Sequence, residues 1–240
     1  MFGTSYHFTC DDNDLLYILM QRSSYAHAVR GVIETLYTKE IIAEFQTIKE
    51  FLPKKCDKIL DIGCGSGGID LFLYKYYTID DIGVALRGKY KGDIQGSPAA
   101  VESGPSLYLA DKGGIYRQFD WTLLDKNCTH CSNLQVTANF LKNNNVPENK
   151  IHTFDLSETQ FPNPDSIDLV ISLISMGFHY PLDMYIDYIM NALSEDGTLV
   201  TDLKHDSPEY NLLESKFSFI KHADSSSPTG RRVVCQGPRR

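Results

Sequence analysis

Asp61-Ile62-Gly63-Cys64-Gly65-Ser66-Gly67-Gly68 is a glycine-rich stretch that lies between a predicted strand and a predicted helix. The short segment Lys58 to Asp61 before it has the apolar centre of a buried strand. After the glycines, apolar residues recur at the helical spacing i, i+3, i+4 and i+7: Ile69, Phe72, Leu73 and Tyr76. Glycines at such a junction let the backbone approach a ligand closely and leave the helix N-terminus free to meet polar groups.

The glycine spacing alone is compatible with more than one nucleotide ligand. Gly63, Gly65 and Gly68 satisfy the G-x-G-x-x-G pattern of dinucleotide-binding folds. Asp61 discriminates between the ligands, because its carboxylate would repel a pyrophosphate and attract the ammonium group in the methionine moiety of S-adenosylmethionine (SAM). The sequence therefore favours SAM over a nicotinamide cofactor.

The run from Asp61 to Gly67 resembles the acid-x-Gly-x-Gly-x-Gly motif of class I SAM-dependent methyltransferases at every position, and the chain from Lys58 to Cys235 is similar to that family. The resemblance implies SAM as the cofactor. It also implies an acidic residue after the second strand for the ribose hydroxyls, and another acidic residue after the third strand near the adenine. The predicted cofactor-binding residues are Asp61, Gly63, Cys64, Gly65, Gly67, Asp125 or Asp111, Asp155, Leu156 and Ser172.

Two segments compete for the second strand. Ser106 to Asp111 and Thr122 to Asp125 have the same form, an apolar run that ends in an aspartate. We favour Asp125 as the ribose-binding carboxylate because it lies one helix ahead of Asp155, as a βαβ unit requires. In the alternative, Asp111 ends the true strand and residues 121–125 belong to an inserted piece.

The whole chain predicts an α/β fold. Strands alternate with helical patterns, which favours right-handed βαβ units and a mostly parallel sheet. The family resemblance implies a Rossmann-like, doubly wound sheet of seven strands that ends in an antiparallel strand pair. We predict an N-terminal helical cap over residues 1–53 and a SAM-binding domain over residues 54–240. Residues at about 78–118 have weak periodicity and many glycines, which indicates an insertion.

Candidate catalytic residues follow the predicted fourth strand, in Ser172 to Pro181. His179 is the candidate general base, and Tyr180 is a candidate for positioning the substrate or for a cation–π contact with the sulfonium. This segment lacks the Asn/Asp-Pro-Pro-aromatic motif of nucleic-acid amino methyltransferases. It resembles small bacterial-type class I methyltransferases, some of which are linked to sugars or secondary metabolites. A metal-assisted alternative would use three residues after the fifth strand: Asp202, His205 and Asp206.

Composition limits the partners. The chain has 240 residues and a formal net charge of −8. A protein that binds the phosphate backbone of a nucleic acid needs a basic surface, so this composition disfavours a nucleic-acid partner. Its start has no basic stretch followed by an apolar run, and no apolar run is long enough to span a membrane, so we expect a cytoplasmic location and no membrane partner. Cys128 and Cys131 form a C-x-x-C pair without a second pair at metal-ligand spacing, so no metal site is predicted.

These observations together predict a SAM-dependent methyltransferase that acts on a small molecule, with oxygen as the favoured acceptor atom. One alternative keeps SAM but cyclises or cleaves its aminobutyrate part. A second alternative is a SAM-binding module without catalytic activity. The sequence leaves the identity of the acceptor and the oligomeric state open.

Overall fold

The computed structural model describes residues 8–21, 28–78, 103–112, 133–157, 166–224 and 230–240. In this part of the chain, helices cover both faces of one seven-stranded sheet. The strands are β1 (Lys58–Ile62), β2 (Ser106–Asp111), β3 (Ile151–Asp155), β4 (Ile167–Ser172), β5 (Leu193–Lys204), β6 (Phe217–Ala223) and β7 (Gly230–Pro238). The helices are α1 (Asp12–Gln21), α2 (Arg30–Ile48), α3 (Gly68–Thr78), α4 (Leu134–Asn143), α5 (Ile186–Ala192) and α6 (Glu209–Lys216).

The strand order is β3-β2-β1-β4-β5-β7-β6. Strands β1 to β5 are parallel to one another, whereas β7 is antiparallel to both β5 and β6. This is the predicted Rossmann-like, doubly wound sheet with an antiparallel pair at its end. Because the chain order reverses beside β1, the carboxyl ends of β1 and β4 form a crevice of the kind in which open α/β sheets bind ligands.

The predicted choice of Asp125 as the end of the second strand is wrong. The strand that pairs with β1 on one side and β3 on the other is Ser106–Asp111, with Ala110 opposite Ile62 and Asp111 opposite Asp155. The two segments have equivalent local sequences, so only the pairing distinguishes them. Asp125 lies outside the described residues, and the segment predicted as an insertion at about 78–118 contains this strand of the sheet.

The two N-terminal helices share a hydrophobic core with one face of the sheet. Tyr37, Phe45 and Ile48 of α2 are almost completely buried in the same cluster as Ile59 of β1 and Phe72 of α3. Helices α5 and α6 pack on the opposite face. The helices that precede β1 therefore pack close to the residues that follow it.

A buried charge cluster joins α2 to the far end of the sheet. The Arg232 guanidinium on β7 contacts the carboxylates of Asp202 on β5 and Glu44 on α2, and it also donates a hydrogen bond to the hydroxyl of Thr47. Asp202 is thus engaged in an ion pair, so the alternative metal site would have to break that pair to use it as a ligand. No helix in the described ranges has the length and apolar character needed to cross a lipid bilayer.

Candidate cofactor-binding and active site

The loop between β1 and α3 depends on glycine for its shape. Gly63, Gly65 and Gly67 have φ values of 85°, 53° and 78°, in the left-handed region that side chains with a Cβ rarely adopt. The N–H of Gly67 donates to the carbonyl of Cys64 and closes the turn. The alternating glycines of the sequence motif therefore coincide with the positions at which the backbone must turn before α3 begins.

The predicted acidic residues lie at the carboxyl ends of three adjacent strands. Asp61 is near the end of β1, and Asp111 and Asp155 end β2 and β3 opposite each other. The Asp111 carboxylate accepts a hydrogen bond from the N–H of Gly65 at 3.2 Å, which ties β2 to the glycine loop. The Asp155 carboxylate accepts from the N–H and hydroxyl of Ser157, and the N–H of Leu156 donates to the carbonyl of Asp111.

Three residues that the sequence interpretation missed hold the glycine loop from outside. The Gln21 side chain, at the end of α1, accepts a hydrogen bond from the N–H of Ser66 at 3.1 Å. The Tyr37 hydroxyl on α2 shares a hydrogen bond with the hydroxyl of Ser66, and Thr137 on α4 donates to the carbonyl of Gly65. These contacts bridge 29 to 72 positions of sequence, so no local pattern could have predicted them.

A fourth missed residue, Asp70, lies in the first turn of α3. Its side chain and that of Asp61 are buried, with exposed fractions of 0% and 2%. Burial raises the pKa of Asp70 to about 7, although its hydrogen bond with Asp61 acts in the opposite direction. Burial also raises the pKa of Asp61 well above its ordinary value, and the negative charges of Asp70 and Asp111 add to that effect. An acidic residue within the apolar run Ile69 to Leu73 was the available signal.

Cys64 is buried beside the same carboxyl groups. Burial raises the pKa of its thiol well above the ordinary value, and Asp111, Asp61 and Asp70 act in the same direction. The thiol is therefore neutral at physiological pH. Because a thiolate is the reactive form of cysteine, this residue is suited to packing inside the loop rather than to nucleophilic chemistry.

The segment after β4 is a tight, strained turn. Ile174 has a φ of 55°, which is rare for a β-branched residue, and the carbonyl of Ser175 accepts hydrogen bonds from the N–H groups of Phe178, His179 and Tyr180. The buried hydroxyl of Ser172 donates to the carbonyl of Ile62 at 2.6 Å and accepts from the N–H of Met176 at 3.0 Å. These two bonds fix the turn to the end of β1, and a cofactor contact by Ser172 stays a prediction.

The two candidate catalytic residues occupy different environments. His179 is exposed, with its ring 5.2 Å from that of Phe178. Tyr180 is partly buried, and burial raises the pKa of its hydroxyl, with the nearby negative charge of Asp111 acting in the same direction. Burial also raises the pKa of Tyr185, and the negative charges of Tyr180 and Asp111 act in the same direction to a smaller extent. The structure thus brings Tyr180 and Tyr185 close to the carboxyl end of β2.

Comparisons with known proteins rest on structure, because no protein-family model and no curated protein sequence matches this chain. The fold is similar to that of a methyltransferase from Pyrococcus furiosus, with a TM-score of 0.52 and 11% identity over 95% of this chain and 100% of that one. It is also similar to the N-methyltransferase NodS from Bradyrhizobium japonicum in complex with S-adenosyl-L-homocysteine, with a TM-score of 0.47 and 12% identity over 86% of this chain and 88% of that one. For the tRNA (m1A58) methyltransferase TrmI from Aquifex aeolicus, the TM-score is 0.46 and the identity 12%, over 83% of this chain and 69% of that one.

The match to the Pyrococcus furiosus structure spans almost the whole chain and the whole of its counterpart. This similarity of fold is consistent with the strand order of the sheet, in which β7 lies antiparallel between β5 and β6. It is also consistent with the resemblance of the glycine loop to the class I methyltransferase motif. The chain therefore has the Rossmann-like fold of class I methyltransferases.

Proposed function

We propose that this protein is a SAM-dependent methyltransferase that methylates a small molecule at an oxygen atom. The observation that carries the proposal is the convergence of Asp61, Asp111 and Asp155, at the carboxyl ends of β1, β2 and β3, around a left-handed glycine loop. Open α/β sheets bind their ligands at this edge.

The residues at this edge fit the polar groups of SAM. Asp61 offers a buried carboxylate, one oxygen of which, Oδ1, accepts no hydrogen bond from the described residues, and such an acceptor suits an ammonium group. Asp111 would bind the ribose hydroxyls, because a carboxylate can accept further hydrogen bonds in addition to those from the N–H groups of Gly65 and Lys112. Asp155 and Leu156 would border the adenine, and Gly63, Gly65 and Gly67 allow the close approach of the methionine part.

SAM supplies a methyl group on a sulfonium, which an acceptor hydroxyl can take in a single in-line displacement. The protein chiefly has to align the acceptor and to receive the hydroxyl proton. His179 would accept that proton at its unprotonated ring nitrogen. Tyr180 is partly buried near Asp111 and would orient the acceptor or contact the sulfonium with its ring.

The acceptor class is inferred from charge. A net charge of −8 disfavours a polyanionic acceptor such as RNA, because nucleic-acid binding draws most of its affinity from cationic contacts to phosphates. Fold alone does not identify an acceptor, since proteins of one fold act on unrelated substrates. The choice of a small molecule therefore rests on the absence of a basic composition and on the family resemblance of the segment after β4.

The test is to incubate the purified protein with SAM and a small-molecule extract and to identify the products by mass spectrometry. Formation of S-adenosylhomocysteine together with an O-methylated compound is the expected result. Methylthioadenosine would indicate instead that the protein cleaves or cyclises the aminobutyrate part of SAM. Binding of SAM without either product would indicate a non-catalytic module, and methylation that requires added RNA would contradict the small-molecule acceptor.

A further inference from the structure

Asp61 and Asp70 form a buried carboxyl pair that the displacement chemistry does not use. The exposed fraction is 2% for Asp61 and 0% for Asp70. In the described ranges, Oδ1 of Asp61 and both carboxylate oxygens of Asp70 have no hydrogen-bond partner other than the opposite carboxyl group and the N–H of Asp70 itself. Buried carboxylates normally have donors or cations as partners, because leaving an ionised acceptor unpaired in the interior is costly.

Among the described residues, no positively charged group contributes to the pKa shift of either carboxyl group. The titratable groups that face the pair are Asp111 from β2 and Cys64 from the glycine loop. One of these is negative and the other is a neutral thiol. Two adjacent carboxylates in such a site cannot both ionise easily, so the pair retains a proton that it shares.

We propose that Asp61 and Asp70 together form a proton-exchanging receptor for the ammonium group of the cofactor, with Asp70 as a second, cofactor-selecting carboxyl group. This inference rests on the proposed function. In the free protein, the two carboxyl groups share a proton; when the ammonium group binds, that proton passes to the solvent and the cation takes its place. The covalent bonds of the cofactor do not change in this step.

The location of the pair supports this role. Asp61 lies on β1 before the glycine loop and Asp70 lies on α3 after it, so the two carboxyl groups contact each other from the two ends of the loop. Asp70 also lies in the first helical turn, where the helix dipole favours a negative charge. Burial nevertheless raises the pKa of Asp70 to about 7, so cation binding can change its protonation near neutral pH.

Proton release is measurable by titration calorimetry in two buffers that differ in ionisation enthalpy, phosphate and imidazole. At about pH 6, we expect SAM and S-adenosylhomocysteine each to release up to about one proton per protein, and the release to decline towards pH 8. Methylthioadenosine lacks the ammonium group and should release none. This comparison uses the unaltered protein, so it does not depend on the folding of any variant.

The matching variant is Asp70→Asn, which keeps the side-chain shape and can donate to Asp61 but cannot ionise. At pH 6, we expect it to release less than half as many protons as the unaltered protein. Between pH 6 and pH 8, its Kd for SAM should change less than about 2-fold. In the unaltered protein, linkage of one proton to binding changes the Kd by up to about 10-fold per pH unit. Asp196→Asn, at an exposed position, is the control and should behave like the unaltered protein.

Equal proton release from Asp70→Asn and the unaltered protein, or from methylthioadenosine and SAM, would overturn the inference. Failure of the unaltered protein to bind SAM at any pH would instead overturn the proposed function. The two failures are therefore distinguishable in one set of titrations.

Discussion

The guanidinium group of Arg232 donates two hydrogen bonds to the carboxylate of Asp202, Nε to Oδ1 and Nη2 to Oδ2, each 2.9 Å long. Both side chains have an exposed fraction of 0%, and Glu44 approaches the same guanidinium with its Oε2 atom 2.6 Å from Nη1. One arginine thus pairs with two buried carboxylates and connects β7, β5 and α2.

Replacement of Arg232 by methionine should destabilise the protein strongly. The variant leaves Asp202 and Glu44 buried without their cation, and breaking a buried pair in this way typically costs about 3–5 kcal/mol. Chemical unfolding followed by circular dichroism measures the loss. Lys55→Met, which removes the exposed Lys55–Asp57 pair, is the control and should leave the unfolding midpoint unchanged. Equal midpoints for the two variants would mean that the buried cluster adds no stability.

Gly65→Val should abolish SAM binding. Gly65 has a φ of 53°, and a Cβ at this position would lie 2.8 Å from Nε2 of Gln21, so valine strains the backbone and also fills the space beside the loop. Calorimetry with SAM measures the effect, and a circular dichroism melt establishes whether the fold persists. Gly31→Val, at a position where an added Cβ meets no atom within 4 Å, controls for the substitution type. Normal SAM affinity in a folded Gly65→Val protein would place the cofactor elsewhere.

The ribose contact is expected at Asp111, which ends the strand that is paired with β1. Asp111→Ala removes a charge-assisted hydrogen bond, which is worth roughly 1.5–3 kcal/mol, so SAM affinity should fall by about 10- to 150-fold. Some of this loss will arise through the glycine loop, because Asp111 also accepts from the N–H of Gly65. Titration with adenosine, which has the ribose but no methionine part, separates the ribose contact. Unchanged adenosine affinity would show that Asp111 only supports the loop.

His179→Ala should lower turnover by roughly 10²- to 10⁴-fold while SAM affinity changes only a few-fold, because a general base acts on the acceptor rather than on the cofactor. Steady-state kinetics with the acceptor found in the extract assay gives the turnover. Tyr180→Phe is the companion variant, since it removes the hydroxyl and keeps the ring. If His179→Ala retains near-normal turnover, alignment of the two substrates remains as the main source of catalysis.

Asp70 should also make stability depend on pH. Its folded pKa of about 7 lies above the ordinary value of 3.8, so the unfolded chain binds fewer protons between these values. The resulting stabilisation is present below about pH 4 and is lost as the pH rises through about 7, by an amount on the order of a few kcal/mol. As the pH rises from about 5 to about 8, the free energy of unfolding of Asp70→Asn should therefore increase relative to that of the unaltered protein. Denaturant titrations at the two pH values measure this difference. A parallel pH dependence in both proteins would contradict this.

The parts of the site that follow from local sequence were predictable. The glycine loop is one such part, because its strand, turn and helix are adjacent in the chain and each has its own periodicity. The choice between Asp111 and Asp125 was not predictable, because both residues end short apolar runs that are locally equivalent. Only the pairing of Ser106–Asp111 with β1 and β3 distinguishes the two runs.

The side chains that hold the loop could not be predicted from the sequence either. Gln21 contacts Ser66 across 45 positions, and neither residue type is unusual on a helix or in a loop. Asp70 resembled an ordinary acidic residue in the first turn of a helix, where the helix dipole favours such residues. Its burial against Asp61 depends on how closely α3 packs on the sheet, which side-chain identity alone does not determine.

The contacts of Gln21, Tyr37 and Thr137 with the glycine loop restrain the proposed cofactor site. Gln21 and Thr137 bond the backbone of Ser66 and Gly65, and Tyr37 bonds the Ser66 hydroxyl, so these contacts restrict the loop when the protein folds rather than when a ligand arrives. Preorganisation of this kind leaves more of the interaction free energy for affinity. It also makes the N-terminal helices part of the proposed cofactor site, since a chain shortened to start after residue 53 would lose the Gln21 and Tyr37 contacts with the loop and keep those of Thr137 and Asp111.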